Sequence, residues 1–201
     1  QHFLLDANLC RRIALTAGPL ESTAVIEIGP GPGGLTRALL LAGAPRVIAV
    51  EKDARCIAAL EELGAAFPGR LDIREADALE IDAAGLAPSP RRIVANLPYN
   101  VATPLLLQWL RQATAFDSLT LMFQKEVADR LLAAPRSKAY GRLSVMTRWL
   151  TEVRPAFSVD RRAFTPPPKV TSSVVVLVPR PKPVAPASWE ALERVTAAAF
   201  G

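Results

Sequence analysis

The chain has 201 residues, half of them hydrophobic and 21% charged, which suits one domain with a full core, or one domain and a small appendage, and excludes global disorder. No apolar run is long enough to span a bilayer, and the single histidine, His2, excludes zinc sites built on histidine pairs and triad hydrolase chemistry. The net charge of +5 is uneven: residues 1–124 carry −2, residues 125–182 carry +8 and residues 183–201 carry −1, as expected of a protein that meets a polyanion with one part of its surface.

Along the chain, Asn8 reads as the N-cap of a helix in which Leu9, Ile13, Ala14 and Ala17 recur at helical spacing, ended by Gly18-Pro19. A strand over 24–28 runs into a glycine turn over 29–34 and a helix over 35–42. A second strand, 46–50, is closed by Glu51; a helix over 54–66 and a short strand over 71–74 follow, leading to Asp77. A fourth strand, 92–95, precedes a helix over 103–110, then come a strand over 118–123 and a helix over 126–132. The rest reads as a helix over 143–149, a strand over 152–159, a rigid proline loop over 164–169 and a β-branched strand over 173–178. A proline-rich linker, 179–186, leads to a helix over 189–200.

Strands alternating with helices from 24 to 132 predict a parallel sheet covered on both faces. The last two strands lack a crossover helix between them, so a hairpin with one antiparallel strand is expected, for seven strands in all. Cys10 and Cys56 each sit in a helical pattern with no Cys or His at ligand spacing, which predicts reduced structural thiols, no metal and a cytoplasmic setting; no secretory leader is visible. The chain does not start with Met and stops just after an apparent helix, which suggests a piece of a longer protein.

Asn96-Leu97-Pro98-Tyr99 stands where a strand ends and a helix begins, the place where open α/β sheets bind ligands. Asn offers an acceptor and two donors, Pro98 fixes φ and pushes Leu97 to extended backbone, and Tyr99 brings a flat ring. Together they can hold an exocyclic amino group and stack on the ring that carries it; a simple strand-to-helix turn with a buried Tyr is the plain alternative. Three further features fall at successive strand ends. The turn with Gly29, Gly31 and Gly33 lets backbone approach a ligand, Glu51 can accept ribose hydroxyls, and Asp77 can take an adenine amino group. That set implies an adenine nucleoside cofactor. The glycine spacing is tighter than the dinucleotide pattern, and Glu27 would repel a pyrophosphate but attract the cationic end of S-adenosylmethionine, unless it is only a strand residue paired with a surface Arg.

With these stretches, Gln1-His2-Phe3-Leu4, Gln124-Lys125-Glu126-Val127, the run from Ser137 to Val145 and the run from Phe164 to Val170 occur in fixed order. The chain therefore resembles the KsgA/RsmA family of ribosomal RNA adenine dimethyltransferases over nearly its whole length. The resemblance implies a Rossmann-like class I S-adenosylmethionine-dependent fold in a monomer. It also implies that two adjacent adenosines near the 3′ end of 16S ribosomal RNA in the small subunit are each methylated twice on N6. Cofactor contacts would come from His2, Leu4, Gly29, Glu51, Asp77 and Asn96, beside Glu27 and Gly31 from the reading above. Position 2 is often Asn in that family, so His2 is a departure. Asn96, Pro98, Tyr99 and Phe164 would do the chemistry: two acceptors for the N6 hydrogens, and two rings for the base. The RNA surface is expected to use Lys125, Arg130, Arg136, Lys138, Arg142, Arg148, Arg161, Arg162 and Lys169. Residues 1–180 would form the methyltransferase domain and 181–201 a linker and the start of a helical C-terminal domain.

Three rivals stay open. A non-catalytic RNA- or DNA-binding factor could keep the fold. A nicotinamide dehydrogenase would need a different glycine spacing and a proton-transfer group. A large-subunit ribosomal RNA methylase shares the fold, although the 137–145 and 164–170 stretches favour the small-subunit enzyme.

Overall fold

The computed structural model describes residues 3–200. Nine strands and seven helices follow one another as β1 (Phe3–Leu4), α1 (Ala7–Thr16), β2 (Ala24–Ile28), α2 (Gly34–Leu41), β3 (Arg46–Glu51), α3 (Ala54–Ala66), β4 (Leu71–Glu75), β5 (Arg91–Asn96), α4 (Tyr99–Leu110), β6 (Ser118–Gln124), α5 (Lys125–Leu132), α6 (Arg142–Leu150), β7 (Thr151–Val159), β8 (Phe164–Thr165), β9 (Ser172–Pro179) and α7 (Trp189–Phe200). Seven strands form one sheet in the order β4-β3-β2-β5-β6-β9-β7. The pairs from β4 to β6 are parallel, and β9 runs antiparallel to both β6 and β7. The expected antiparallel strand is present, inserted between β6 and β7.

Strand pleat divides the core in two. Ile26, Ile28, Ile93, Ala95, Leu121 and Phe123 face α4 and α5. Val25, Val94, Met122 and Val174, from alternate positions, face α1 and α2. The central strands are apolar on both faces because helices cover both, as parallel sheets require. Glu27 is the charged exception in the middle of these strands: it sits in β2 on the α1–α2 side and is 1% exposed.

Several boundaries move for physical reasons. The N-cap of α1 is Asp6, not Asn8: the Asp6 carboxylate accepts from the backbone N–H of Asn8 and of Leu9 at 2.9 and 3.1 Å. α4 begins at Tyr99, four residues before the apolar periodicity starts, because Pro98 serves as its N-cap and Pro104 still lies within the helix. Phe164 is not in a loop. It forms β8, which pairs antiparallel with β1 through Phe3↔Thr165 and Leu4↔Phe164. Residues 180–185 do not swing free either: Trp149 Nε1 donates to the Ala185 carbonyl at 2.8 Å, and the Arg180 N–H to Leu150 at 2.8 Å. α7 is clamped to the body by Arg142–Glu193 at 2.8 Å and by Arg111 stacked 4.5 Å over the Trp189 ring. Among the described residues no helix is long and apolar enough to cross a membrane.

Candidate active site

Strand order reverses between β2 and β5: the chain leaves β2 towards β3 and β4 on one side, and continues from β5 to β6 on the other. A crevice at the carboxyl ends of the strands is expected there. Glu27 is in register with Val94, so Asn96, two residues on, lies on the same face as Glu27 and beside the start of the glycine turn.

Two cavities open at these strand ends. The first, about 180 Å³, is lined by Glu27, Gly29, Asn96, Pro98, Tyr99 and Phe164, with Phe3 and Leu4 of β1. The second, about 410 Å³, lies on the α4 side among Gly29, Glu51, Asp77, Pro98, Val101 and Leu105. Gly29 and Pro98 are common to both. A Cβ on Gly29 would stand 3.5 Å from Pro98 Cδ, and its φ of +67° favours glycine, so both cavities meet at a backbone that no side chain thickens.

The second cavity has the chemistry of a nucleoside site. Glu51 is 3% exposed, and its carboxylate is held by three backbone N–H groups, from Gly31, Lys52 and Asp53, each at 2.9 Å. It thus pins the glycine turn, and of about four lone-pair sites on a carboxylate one remains for a ligand hydroxyl. Asp77 accepts from the Leu79 N–H at 3.0 Å and from Lys52 at 3.4 Å, which holds its carboxyl below the usual range. Val101 and Leu105 supply an apolar floor that the sequence reading missed; their i, i+4 spacing on α4 was the available signal.

In the first cavity, Glu27 Oε2 is buried with no hydrogen-bond partner. Burial, with Glu51 nearby, pushes the Glu27 carboxyl up to about 8. The Thr36 hydroxyl pulls the other way, more strongly than Glu51 pushes, although Thr36 Oγ1 completes no hydrogen bond of good geometry. Cys10 faces the same region from α1; burial and Glu27 push its thiol up to about 12, so it stays neutral and unreactive. An unpartnered buried acid beside a cavity is costly unless a cationic ligand meets it.

β1 covers the glycine turn closely. A Cβ on Gly31 would come within 2.8 Å of the Phe3 ring, and one on Gly34 within 2.7 Å of the Leu4 carbonyl oxygen. Ala favours a helix over Gly by about 0.5–1 kcal/mol, whereas overpacking costs about 1–3 kcal/mol, so the clash wins at Gly34. Gly34→Ala should lower the melting temperature and weaken cofactor binding together; thermal unfolding and a cofactor titration check both, and an unchanged affinity would mean that β1 plays no part in the site.

Asn96 ends β5, and Tyr99 opens α4. The Pro98 carbonyl accepts from the Val101 N–H at 3.1 Å, which leaves one of its two lone pairs for a ligand. Phe164 is 3% exposed and packs in the core with Leu4 and Val159 while one side borders the cavity. It is therefore a wall of the cavity held on a short strand, where the sequence predicts a rigid loop. His2 lies outside the described residues.

A model of the family described as ribosomal RNA adenine dimethylase matches residues 1–201. The chain belongs to that family. The chain is 68% identical to ribosomal RNA small subunit methyltransferase A of Paramagnetospirillum magneticum and 65% to that of Rhodospirillum rubrum, covering all of this chain and 72% and 70% of theirs. Among solved structures, a dimethyladenosine transferase from Plasmodium falciparum aligns with a TM-score of 0.80 at 33% identity, over 89% of this chain and 64% of that one. The 23S rRNA methyltransferase ErmE aligns at 0.77 and 34% identity, over 97% and 76%. As a member of the adenine dimethylase family the chain is an RNA methyltransferase, and the dehydrogenase and non-catalytic readings are not favoured.

The expected basic surface divides. Lys125, Arg161 and Lys169 line one shallow cavity of about 620 Å³; Arg130, Lys138 and Arg142 line another of about 540 Å³ under α7. Five of the nine residues are already engaged: Lys125 with Asp129, Arg130 with Glu126, Arg142 with Glu193, Arg162 with Asp160, and Arg148 with the Leu132 carbonyl. Among the described residues, Arg136, Lys138, Arg161 and Lys169 make no ion pair, and Arg136 has a φ of 71°.

Proposed function

We propose that the chain uses S-adenosylmethionine to methylate N6 of two adjacent adenosines near the 3′ end of 16S ribosomal RNA, twice each, during assembly of the small subunit. The observation that carries this reading is a single cavity bordered by Asn96, Pro98, Tyr99 and Phe164, with the buried Glu27 carboxyl, whose Oε2 lacks a hydrogen-bond partner, on its wall. The donor set fits the cofactor: Glu27 for an ammonium, Glu51 for a ribose hydroxyl, Asp77 for an adenine amine, and Leu4 and the turn at Gly29 and Gly31 for close backbone approach. When bound, S-adenosylmethionine supplies an electrophilic methyl on sulfur.

The chain's part is to make a poor nucleophile attack. The N6 lone pair of adenine is delocalised into its ring. The Asn96 side-chain oxygen and the Pro98 carbonyl accept the two N6 hydrogens, which draws the nitrogen towards tetrahedral geometry and frees its lone pair. Both bonds strengthen as the nitrogen gains positive charge, so they raise the rate and not only the affinity. Tyr99 and Phe164 border the base, and stacking worth about 1–3 kcal/mol per base offsets the cost of taking it out of its helix. No general base is required, since the alkylated nitrogen is acidic and loses its proton to water. Residues 1–180 form the catalytic unit in this reading, and the protein acts as a cytoplasmic monomer.

Labelled S-adenosylmethionine incubated with undermethylated small subunits, followed by nucleoside analysis, should yield N6,N6-dimethyladenosine. Label in large-subunit RNA alone would favour the ErmE-like reading.

Lys125, Arg161 and Lys169 adjoin the cavity, because the Lys125 N–H donates to the Thr171 carbonyl at 2.9 Å and the next residue, Ser172, touches Tyr99. They are the basic residues best placed to hold phosphates flanking the target base. Arg161→Ala and Lys169→Ala should each weaken RNA binding and lower the slope of log affinity against log salt by about 0.7–0.9. An unchanged slope in filter binding across a salt series would count against this patch.

A further inference from the structure

The Tyr99 hydroxyl and Ser172 Oγ share a hydrogen bond of 2.8 Å. Ser172 is fully buried at the start of β9, between Gln124 of β6 and Val159 of β7 in the sheet register. Beyond Val159 the chain makes one short turn and returns as β8, carrying Phe164. The two rings that border the first cavity thus reach it from distant parts of the sequence, and one serine hydroxyl ties the first ring to the strand ends from which the second departs.

We propose that Ser172 is a positioning residue for methyl transfer: by anchoring the Tyr99 hydroxyl it sets the plane of that ring and its spacing from Phe164. This rests on the reading of the first cavity as the slot for the target adenine. Phe164 is immobilised by core packing and by its pairing with Leu4, so it cannot adjust to a misplaced partner. Tyr99 is only partly buried and stands at the first position of a helix, and the bond at its far end restrains the two side-chain torsions that set its ring plane. A ring turned out of plane no longer stacks on the base, and the N6 nitrogen then drifts from the Asn96 and Pro98 acceptors; displacements of that order cost up to about a hundredfold in rate.

The test is a double-mutant cycle of Tyr99→Phe, which keeps the ring and removes only the oxygen, with Ser172→Ala. Methylation of small subunits is followed for the wild type, both single variants and the double variant, together with cofactor affinity and thermal unfolding. Each single change should lower kcat by about tenfold, and the double no further than either, since both remove the same bond. KM for the subunit and cofactor affinity should stay within about twofold, a split that general destabilisation would not produce. Losses that multiply in the double variant, an unchanged kcat in Ser172→Ala, or losses matched by equal changes in cofactor affinity would overturn the proposal. A wild-type chain that never methylates adenosine would instead overturn the substrate reading beneath it, so the two failures are distinguishable.

Discussion

Asn96→Ala should slow methyl transfer by roughly 10- to 150-fold in single-turnover measurements, the effect of losing one hydrogen bond to a group that becomes charged, worth about 1.5–3 kcal/mol. Folding should be almost untouched. Asn96 closes β5, where its backbone is paired beside Met122. Cofactor affinity should change less than the rate, because the bond counts most when the nitrogen is charged. The Pro98 carbonyl remains as the second acceptor and accounts for residual activity. A monomethylated N6 has one hydrogen left and needs only one acceptor, so the variant's deficit should be larger for the first methyl than for the second. A near wild-type rate would sink the two-acceptor scheme.

Glu27→Gln should weaken S-adenosylmethionine binding by at least tenfold near neutral pH and abolish most of its pH dependence. In the protein alone Glu27 keeps its proton up to about pH 8, through burial first and the neighbouring Glu51 second. A carboxylate facing an ammonium is ionised, so binding below that pH releases one proton, and affinity should rise by about tenfold per pH unit. The rise ends near pH 8, where the ligand's own α-amino group, ordinarily at about 7.7–8.0, starts to lose its charge. Calorimetry in buffers of different ionisation heat counts the released proton directly. The groups that face Glu27 are Glu51 on β3, Thr36 on α2 and the neutral Cys10 thiol on α1. The folding stability of the protein alone has the opposite sign. The Glu27 carboxyl is raised from 4.5 to about 8, so its contribution is complete below the unfolded value and is lost as pH rises through the folded one. The Gln variant should therefore gain on the wild type in melting temperature from pH 6 to pH 9. Equal cofactor affinity and equal pH slopes in the two proteins would remove Glu27 from the site.

The sheet was legible because its strands are short apolar runs separated by helical periodicity; 24–28, 54–66 and 189–200 end where the sequence predicts. Asp6 was missed as a cap because Asn8 is an equally good capping residue, and only backbone geometry separates them. The start of α4 was missed because Tyr99, Asn100 and Pro104 interrupt the apolar pattern that the fold overrides. Two-residue strands such as β1 and β8 have no period to read, so the covering of the glycine turn by Phe3 and Leu4 was invisible. Five of the basic residues looked free in sequence and are occupied in space: four meet acids as near as two residues and as far as 51, and Arg148 meets a backbone carbonyl.

Residue order alone determined the fold class, the strand-end position of Glu51, Asp77 and Asn96, and the family to which the motifs belong, because these follow from local periodicity and from residue types that only certain chemistries need. Tertiary structure decided which of those residues share a cavity. It placed Glu27 and Asn96 on one face through the register of β2 with β5, fixed Phe164 as a wall through its pairing with Leu4, and brought Ser172 to Tyr99 across 73 positions. Contacts of that kind depend on how the strands are ordered and staggered, and no short-range pattern encodes that order.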